Sequence, residues 1–292
     1  RYGLPLATTT SLGMTGNARA ISDAIAVLSR SRIPEIREVA YKIYEAARFV
    51  APTLIRDPEK AENSRSKIVG RAQHAFLWDS IFRMSFKNTL HQTREFDAAP
   101  PNAEILDDSI QDEDLGRIIL TEAGGLWSAE APTCPGAPRL LRRALADMIG
   151  SLGPHEDPPP SFDTVHVSLQ WAISEATWHQ MLRHRKIVWS PMKPTPEFGV
   201  VPPRIFWFAA QHGLISPLEG LMELQEESVR LWKELKFNYP GTDFSELSPY
   251  FILNGAKRIV YCVAPLGQLI HMLRMRTSPK AQEEIRSVCT TL

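Results

Sequence analysis

At 292 residues, 43% of them hydrophobic and 23% charged, the chain is long enough to bury a substantial core, as one large domain or two. Lysine plus arginine equals aspartate plus glutamate at 33 each, which excludes recruitment of nucleic acid or membrane by an overall field, so any anion site must be local. Cys134, Cys262 and Cys289 are too scattered for a metal pair or a disulfide framework, which fits a reducing cytoplasm, and no apolar run approaches bilayer length. The sequence opens at Arg1-Tyr2-Gly3 without a methionine or a signal-like run, as a fragment or processed piece would.

In chain order, residues 103–108 read as a short strand, and Gln111 to Ala123 as a helix with Leu115, Ile118 and Ile119 on one side. Gly124 to Gly136 is a turn-rich break, and Pro138 opens a helix over Arg139 to Ile149. Pro158-Pro159-Pro160 makes His155 to Ser161 a stiff loop. Val165, Val167, Leu169, Trp171 and Ile173 then alternate with polar or small residues, the period of a half-buried strand. Ser216-Pro217-Leu218-Glu219 has the form of a capping box. It predicts a helix with Leu218, Leu221, Met222, Leu231, Trp232 and Leu235 inward. Lys257 to Val263 is strand-like, Pro265 restarts a helix, and Ser278-Pro279 is expected to cap the last one. Strands separated by longer helices in this order predict an α+β fold with a largely antiparallel sheet flanked by helices.

The stretch Gln180-Met181-Leu182-Arg183-His184-Arg185 puts two guanidinium forks around an imidazole at the end of a short amphipathic segment. Three such side chains in a row cannot all face a core; at least two must be solvated, paired or on a ligand. A solvated basic helix end, set against the helix dipole, is the plain reading of the stretch alone. Glu175, His179 and His184 make no metal site, because His179 and His184 fall on different helix faces. His166 is read as a solvated or hydrogen-bonded histidine. Trp189, Phe206, Trp207 and Phe208 are read as core by default, or else as a stacking surface.

From Phe162 through the strand to Arg185, the chain resembles the signature region of the flavin-dependent thymidylate synthases, in which a strand beginning Phe-Glu-His leads into a helix ending Gln-x-x-Arg-His-Arg. Leu4-Pro5-Leu6, Asn17-Ala18-Arg19 and Glu35-Ile36-Arg37-Glu38 resemble the last third of the same family: a strand, a helix start and a helix end. That third recurs over Pro249 to Ile285, ending Ala281-Gln282-Glu283-Glu284-Ile285. The resemblance divides the chain into the C-terminal part of a first synthase-like copy (1–58), a helical connector (59–102) and a second copy (103–292).

Carried over by position, the resemblance implies that Gln180, Arg183, Arg1 and Arg276 bind a pyrimidine nucleotide, with Arg276 against the ring as the catalytic charge stabiliser. It implies FAD contacts from Arg183, His184, Arg185, Asn17 and Arg19, and no metal. Asn17 serves equally well as a plain helix N-cap, and Arg276 as a cation at a helix C-terminus. The family's activity is methylation of deoxyuridine monophosphate at C5, with FAD, NADPH and methylene-tetrahydrofolate and no cysteine nucleophile. Several positions depart from the family pattern. Pro191, Lys193 and Thr195 stand where the family has its Glu and Ser-x-Arg, and Thr164 replaces the strand histidine. Pro265 and His271 replace two flavin-side asparagines, and Pro249 replaces the arginine matched by Arg1. The retained residues are split between the copies, which implies a homo-oligomer with sites between copies or chains. The alternatives are a non-catalytic flavin- or nucleotide-binding scaffold subunit, or C5 alkylation of another pyrimidine.

Overall fold

The computed structural model describes residues 3, 5–6, 15–31, 33–55, 57–58, 101–107, 114, 118, 122, 137–153 and 156–292. Arg1, all but the last two residues of the 59–102 connector, the 124–136 break and most of the predicted 111–123 helix lie outside the described residues; Asp114, Ile118 and Glu122 are helical. The helices are α1 (Ala18–Leu28), α2 (Pro34–Val50), α3 (Ala137–Ser151), α4 (Glu175–Met181) and α5 (Arg204–Gln211). They continue as α6 (Ser216–Asn238), α7 (Asp243–Glu246), α8 (Leu266–Arg276) and α9 (Glu283–Thr291). The strands are β1 (Asn102–Asp107), β2 (His166–Ser174), β3 (Val188–Pro191) and β4 (Lys257–Pro265). Two compact units result. Arg1–Leu4, Ala98–Gln225 and Leu253–Leu292 form the first, and Pro5–Asp97 with Glu226–Ile252 the second.

In the first unit the four strands make one antiparallel sheet in the order β1-β2-β4-β3, so the expected α+β class holds. Alternation on β2 drives the packing: Val167, Leu169, Trp171 and Ile173 are buried, while His166 and Gln170 face outward. Trp171 lies opposite Val260 and Leu169 opposite Cys262, and the Trp171 indole N–H donates to Cys262 Sγ at 3.2 Å. Leu269, Met272, Ile285 and Val288 of α8 and α9 complete the core over this face. Burial pushes the Cys262 thiol up to about 11 and that of Cys289 to about 12, so both are inert packing groups.

Two close contacts lock the start of the unit. A Cβ on Gly267 would lie 2.5 Å from Asp163 Oδ1 and 3.3 Å from Phe162 Cβ, so any larger residue would force the Asp163 carboxylate to move where α8 meets the turn at 160–164. Glu175, at the start of α4, is 1% exposed and accepts from Arg258 Nη1 at 2.8 and 3.2 Å. Arg258 also donates to the Met192 carbonyl and lies over the Trp178 ring, joining β4, α4 and the chain after β3. Burial raises the Glu175 carboxyl above the usual range, and Arg258 opposes that rise.

Several expectations are corrected. Phe162–Thr164 belongs to the 3₁₀ turn Pro160–Thr164, where consecutive prolines fix φ, and the strand starts only at His166. Leu218 and Glu219 both donate to the Ile215 carbonyl, so α6 starts one residue earlier than a Ser216 cap would place it. Its buried face is Leu221, Gln225, Ser228 and Trp232, with Met222 exposed. Ser278-Pro279 forms a turn, and Gln282 takes the N-cap position of α9. Trp207 and Phe208 on α5 are exposed rather than core.

In the second unit α1 packs on α2, with Ile25, Ala26 and Ala40 buried. Glu35-Ile36-Arg37 opens α2 rather than ending a helix, because Pro34 supplies a favourable first position.

The buried Glu175–Arg258 pair yields the first test. Removing one partner of such a pair strands a charge, so Arg258→Met should lower stability by about 3–5 kcal/mol. Urea unfolding followed by tryptophan fluorescence measures it; a loss below about 1 kcal/mol, the range of exposed pairs, would contradict the assignment.

Candidate functional site

β2 ends at Ser174, whose backbone is extended and whose hydroxyl accepts from Thr177 N–H at 3.1 Å, capping α4. Glu284 of α9, 7% exposed, accepts from Ser174 N–H at 2.7 Å and from Ser174 Oγ–H at 2.6 Å. The far end of α4 is tied as well: the Gln180 side-chain amide donates to the side-chain carbonyl of Gln282. Both ends of this seven-residue helix are thus gripped from the start of α9, which fixes where its C-terminus delivers the chain.

That C-terminus delivers Arg183, His184 and Arg185 in a turn rather than in the helix itself. His184 N–H donates to the Met181 carbonyl at 3.0 Å, while the His184 carbonyl accepts from Ile187 N–H and from the Trp189 indole at 3.2 Å. Ile187 is buried and anchors the turn. The backbone is therefore held, while the Arg183 and Arg185 side chains are exposed and His184 is half-buried.

Arg276, at the end of α8, reaches this turn. Its Nε–H donates to His184 Nε2 at 3.0 Å, and Nη2 donates to the Gln180 carbonyl at 3.2 Å. Arginine has no acceptor, so His184 Nε2 must be unprotonated and the neutral ring carries its proton on Nδ1. Burial, then Arg276, then His271 lower the His184 pKa to about 4. Burial and the nearby charge of Arg183 lower that of Arg276. The His271 ring meets that of His184 edge-on at 6.5 Å, and its Nδ1 lies 3.0 Å from Asp157 Oδ1. Arg274 holds the loop before Asp157 by donating to the carbonyls of Leu152, Gly153 and Glu156. Asp163 accepts from Gln268 at 3.2 Å and lies 3.9 Å from Lys186 Nζ.

Chemically this is a local excess of positive charge around an uncharged imidazole. Among the described residues neither Arg183 nor Arg185 has an acidic partner, and Arg276 is paired to neutral acceptors. Such a cluster suits an anionic ligand.

Of the sequence-predicted residues, Gln180, Arg183, His184, Arg185 and Arg276 come together. Arg276 is half-buried and lies against His184. Asn17 and Arg19 belong to the second unit. Asn17 Oδ1 accepts from Ala20 N–H at 2.8 Å, so it fills the N-cap role, and Arg19 is exposed. Arg1 lies outside the described residues. Sequence reasoning missed Glu284, Gln282, Arg274 and the His271–Asp157 pair. For Glu284 a signal existed: an acidic residue in the first turn of α9, followed by the apolar period of Ile285, Val288 and Cys289.

Residues 1–53 match the family model described as thymidylate synthase complementing protein. The matched stretch holds α1 and α2 and lies apart in sequence from the cationic turn. No curated protein matches it. Among solved structures it is similar to a UMP/dUMP methylase, PolB, from Streptomyces cacaoi, bound with 5-Br dUMP. The TM-score is 0.49 at 15% identity, covering 66% of this chain and 88% of that chain.

The His184 geometry makes a spectroscopic prediction. The ring should titrate near pH 4, and Arg276→Ala, which removes one cause of the depression, should move the midpoint upward. Because the folded pKa lies below the unfolded value near 6.5, unfolding takes up protons between those limits. The His184 contribution to stability is complete above about pH 6.5 and is lost as pH falls towards about 4. Titration of the His184 Cε1–H resonance near pH 6.5 in the wild type would contradict the contact.

Proposed function

We propose that the protein is a flavin-dependent methyltransferase acting at C5 of deoxyuridine monophosphate, with FAD as cofactor and NADPH and methylene-tetrahydrofolate as co-substrates. The observation that carries this reading is the cationic turn: Arg183, Arg185 and Arg276 without acidic partners among the described residues, gathered around a neutral His184, in a chain whose residues 1–53 match that family's model. A flavin nucleotide carries phosphates and a pyrimidine nucleotide carries another, and bidentate guanidinium pairing fits both. Bound flavin would supply the hydride.

The chain's own residues bind and orient. Arg183 and Arg185 hold phosphate, Gln180 contacts the nucleotide, and neutral His184 keeps Arg276 aimed without adding a competing charge. Arg276 stabilises negative charge that develops on the pyrimidine ring, an electrostatic role that needs a preorganised donor. Its Nε and Nη2 contacts supply that preorganisation. Asn17 and Arg19, at the α1 N-terminus, complete the flavin site from another copy or chain in a homo-oligomer, where free helix N–H groups favour phosphate.

A second reading draws on the departures at Pro191, Lys193 and Thr195: the same turn holds flavin or nucleotide without turnover, as a scaffold subunit. C5 alkylation of another pyrimidine is the third. One set of measurements separates them. Purified wild type should be yellow, and Arg183→Ala/Arg185→Ala should lose most of its flavin while remaining folded, since each charge-assisted bond contributes roughly 1.5–3 kcal/mol. Arg276→Lys keeps the charge but not the planar fork, so it should retain flavin and lose roughly 10²–10³ in tritium release from C5-labelled deoxyuridine monophosphate. Unchanged flavin in the folded double variant would sink the binding role. Flavin without release by the wild type would favour the scaffold or another pyrimidine.

A further inference from the structure

The helix pairs α1–α2 and α8–α9, which fall in the two segments that resemble one another in sequence, share a construction that the proposed activity does not use. α1 and α8 are each 11 residues long. Each is followed by a short link and then by Glu-Ile-Arg-x-Val: Glu35-Ile36-Arg37-Glu38-Val39 in one pair and Glu284-Ile285-Arg286-Ser287-Val288 in the other. The two arginines do the same thing. Arg37 Nη1 donates to the Ser31 carbonyl at 2.9 Å, six residues back, and Arg286 Nη1 donates to the Pro279 carbonyl at 3.1 Å, seven residues back. In both pairs this bond straps the link to the second helix.

What differs is what covers the glutamate and the valine. In the second pair Glu284 grips the N–H and hydroxyl of Ser174, where β2 turns into α4, and Ile285 and Val288 lie in the core. In the first pair Glu35 is exposed and accepts from the Tyr250 hydroxyl at 2.5 Å, and Val39 is 46% exposed against 1% for Val288. Farther along α2, Tyr41 and Phe49 are also exposed, on other faces of the helix, and line an open hollow of about 540 Å³ with Tyr44, Glu45, Arg48 and Pro52.

We infer that the Glu35–Val39 edge of α2 docks a strand-to-helix segment with a serine or threonine N-cap, supplied by a partner polypeptide. The occupant's chemistry is read from the chain itself: Ser174, where β2 turns into α4, is what Glu284 holds on the equivalent edge of α9. Glu35 accepts the partner's N-cap N–H and hydroxyl as Glu284 does, and Ile36 and Val39 bury the residues flanking the cap. The Tyr250 hydroxyl holds the same carboxylate until the partner displaces it. Its bond to Glu35 is the first cause of the rise in the Tyr250 pKa to about 12.

The test uses residues 160–187 of this chain fused to a soluble carrier as the probe, titrated against the 292-residue chain by fluorescence anisotropy. Saturable binding is expected. Glu35→Ala in the protein and Ser174→Ala in the probe should each weaken it roughly tenfold, and together no more than either alone, because both remove one contact. Tyr250→Phe, which deletes the competing hydroxyl, should tighten it. Circular dichroism confirms that each variant stays folded, and Glu35 and Tyr250 are not buried. Absence of saturable binding in both the wild type and Tyr250→Phe, or binding indifferent to Glu35 and to the probe's Ser174, would overturn the inference.

Discussion

The carboxylate of Glu284 is the contact on which the first unit's site depends. It takes the N–H and the hydroxyl of one serine at the point where a strand becomes a helix, so it fixes a corner of the backbone rather than a single side chain. A helix as short as α4 has little stability of its own. Its position is imposed by Glu284 at one end, Gln282 at the other and the Glu175–Arg258 pair across the sheet. Each of these partners lies in the stretch 257–292, far along the chain from α4. The cationic turn inherits its placement from that frame.

The turn brings like charges together, which is unfavourable without a ligand. Two features contain the cost. His184 stays neutral and offers Arg276 a lone pair, and the Gln180 carbonyl, near the C-terminal pole of α4, offers another acceptor. Arg183 and Arg185 remain in water, where repulsion is screened. A protonated His184 would turn an acceptor into a competing donor, so the desolvation that lowers its pKa is what makes the arrangement workable.

Much of the frame was legible in the sequence. The alternation from Val165 to Ile173 placed β2 within one residue, because a sheet covered on one face leaves its period in the side chains. The Gln180–Arg185 and Arg276 cluster was reached through family resemblance, and local chemistry alone did not distinguish it from a solvated helix end. What stayed hidden was long-range. Glu284 and Ser174 are 110 residues apart, so no local pattern pairs them. The exposed Trp207 and Phe208 went the other way: the core default fails because α5 buries no residue fully. Helix starts slipped by a residue or more where Ser-Pro suggested a cap, at Ser216 and at Ser278. The first helical carbonyl acceptor at α6 is that of Ile215, which no side-chain rule selects.

A double-mutant cycle between Ser174 and Glu284, read by urea unfolding, tests the governing contact most directly. If the carboxylate–hydroxyl bond fixes this corner, Ser174→Ala and Glu284→Ala should be coupled by about 1.5–3 kcal/mol, the range for a hydrogen bond to a charged group. Single effects that add to within about 0.5 kcal/mol would show that the two residues do not act together, and the frame proposed for the cationic turn would fall with them.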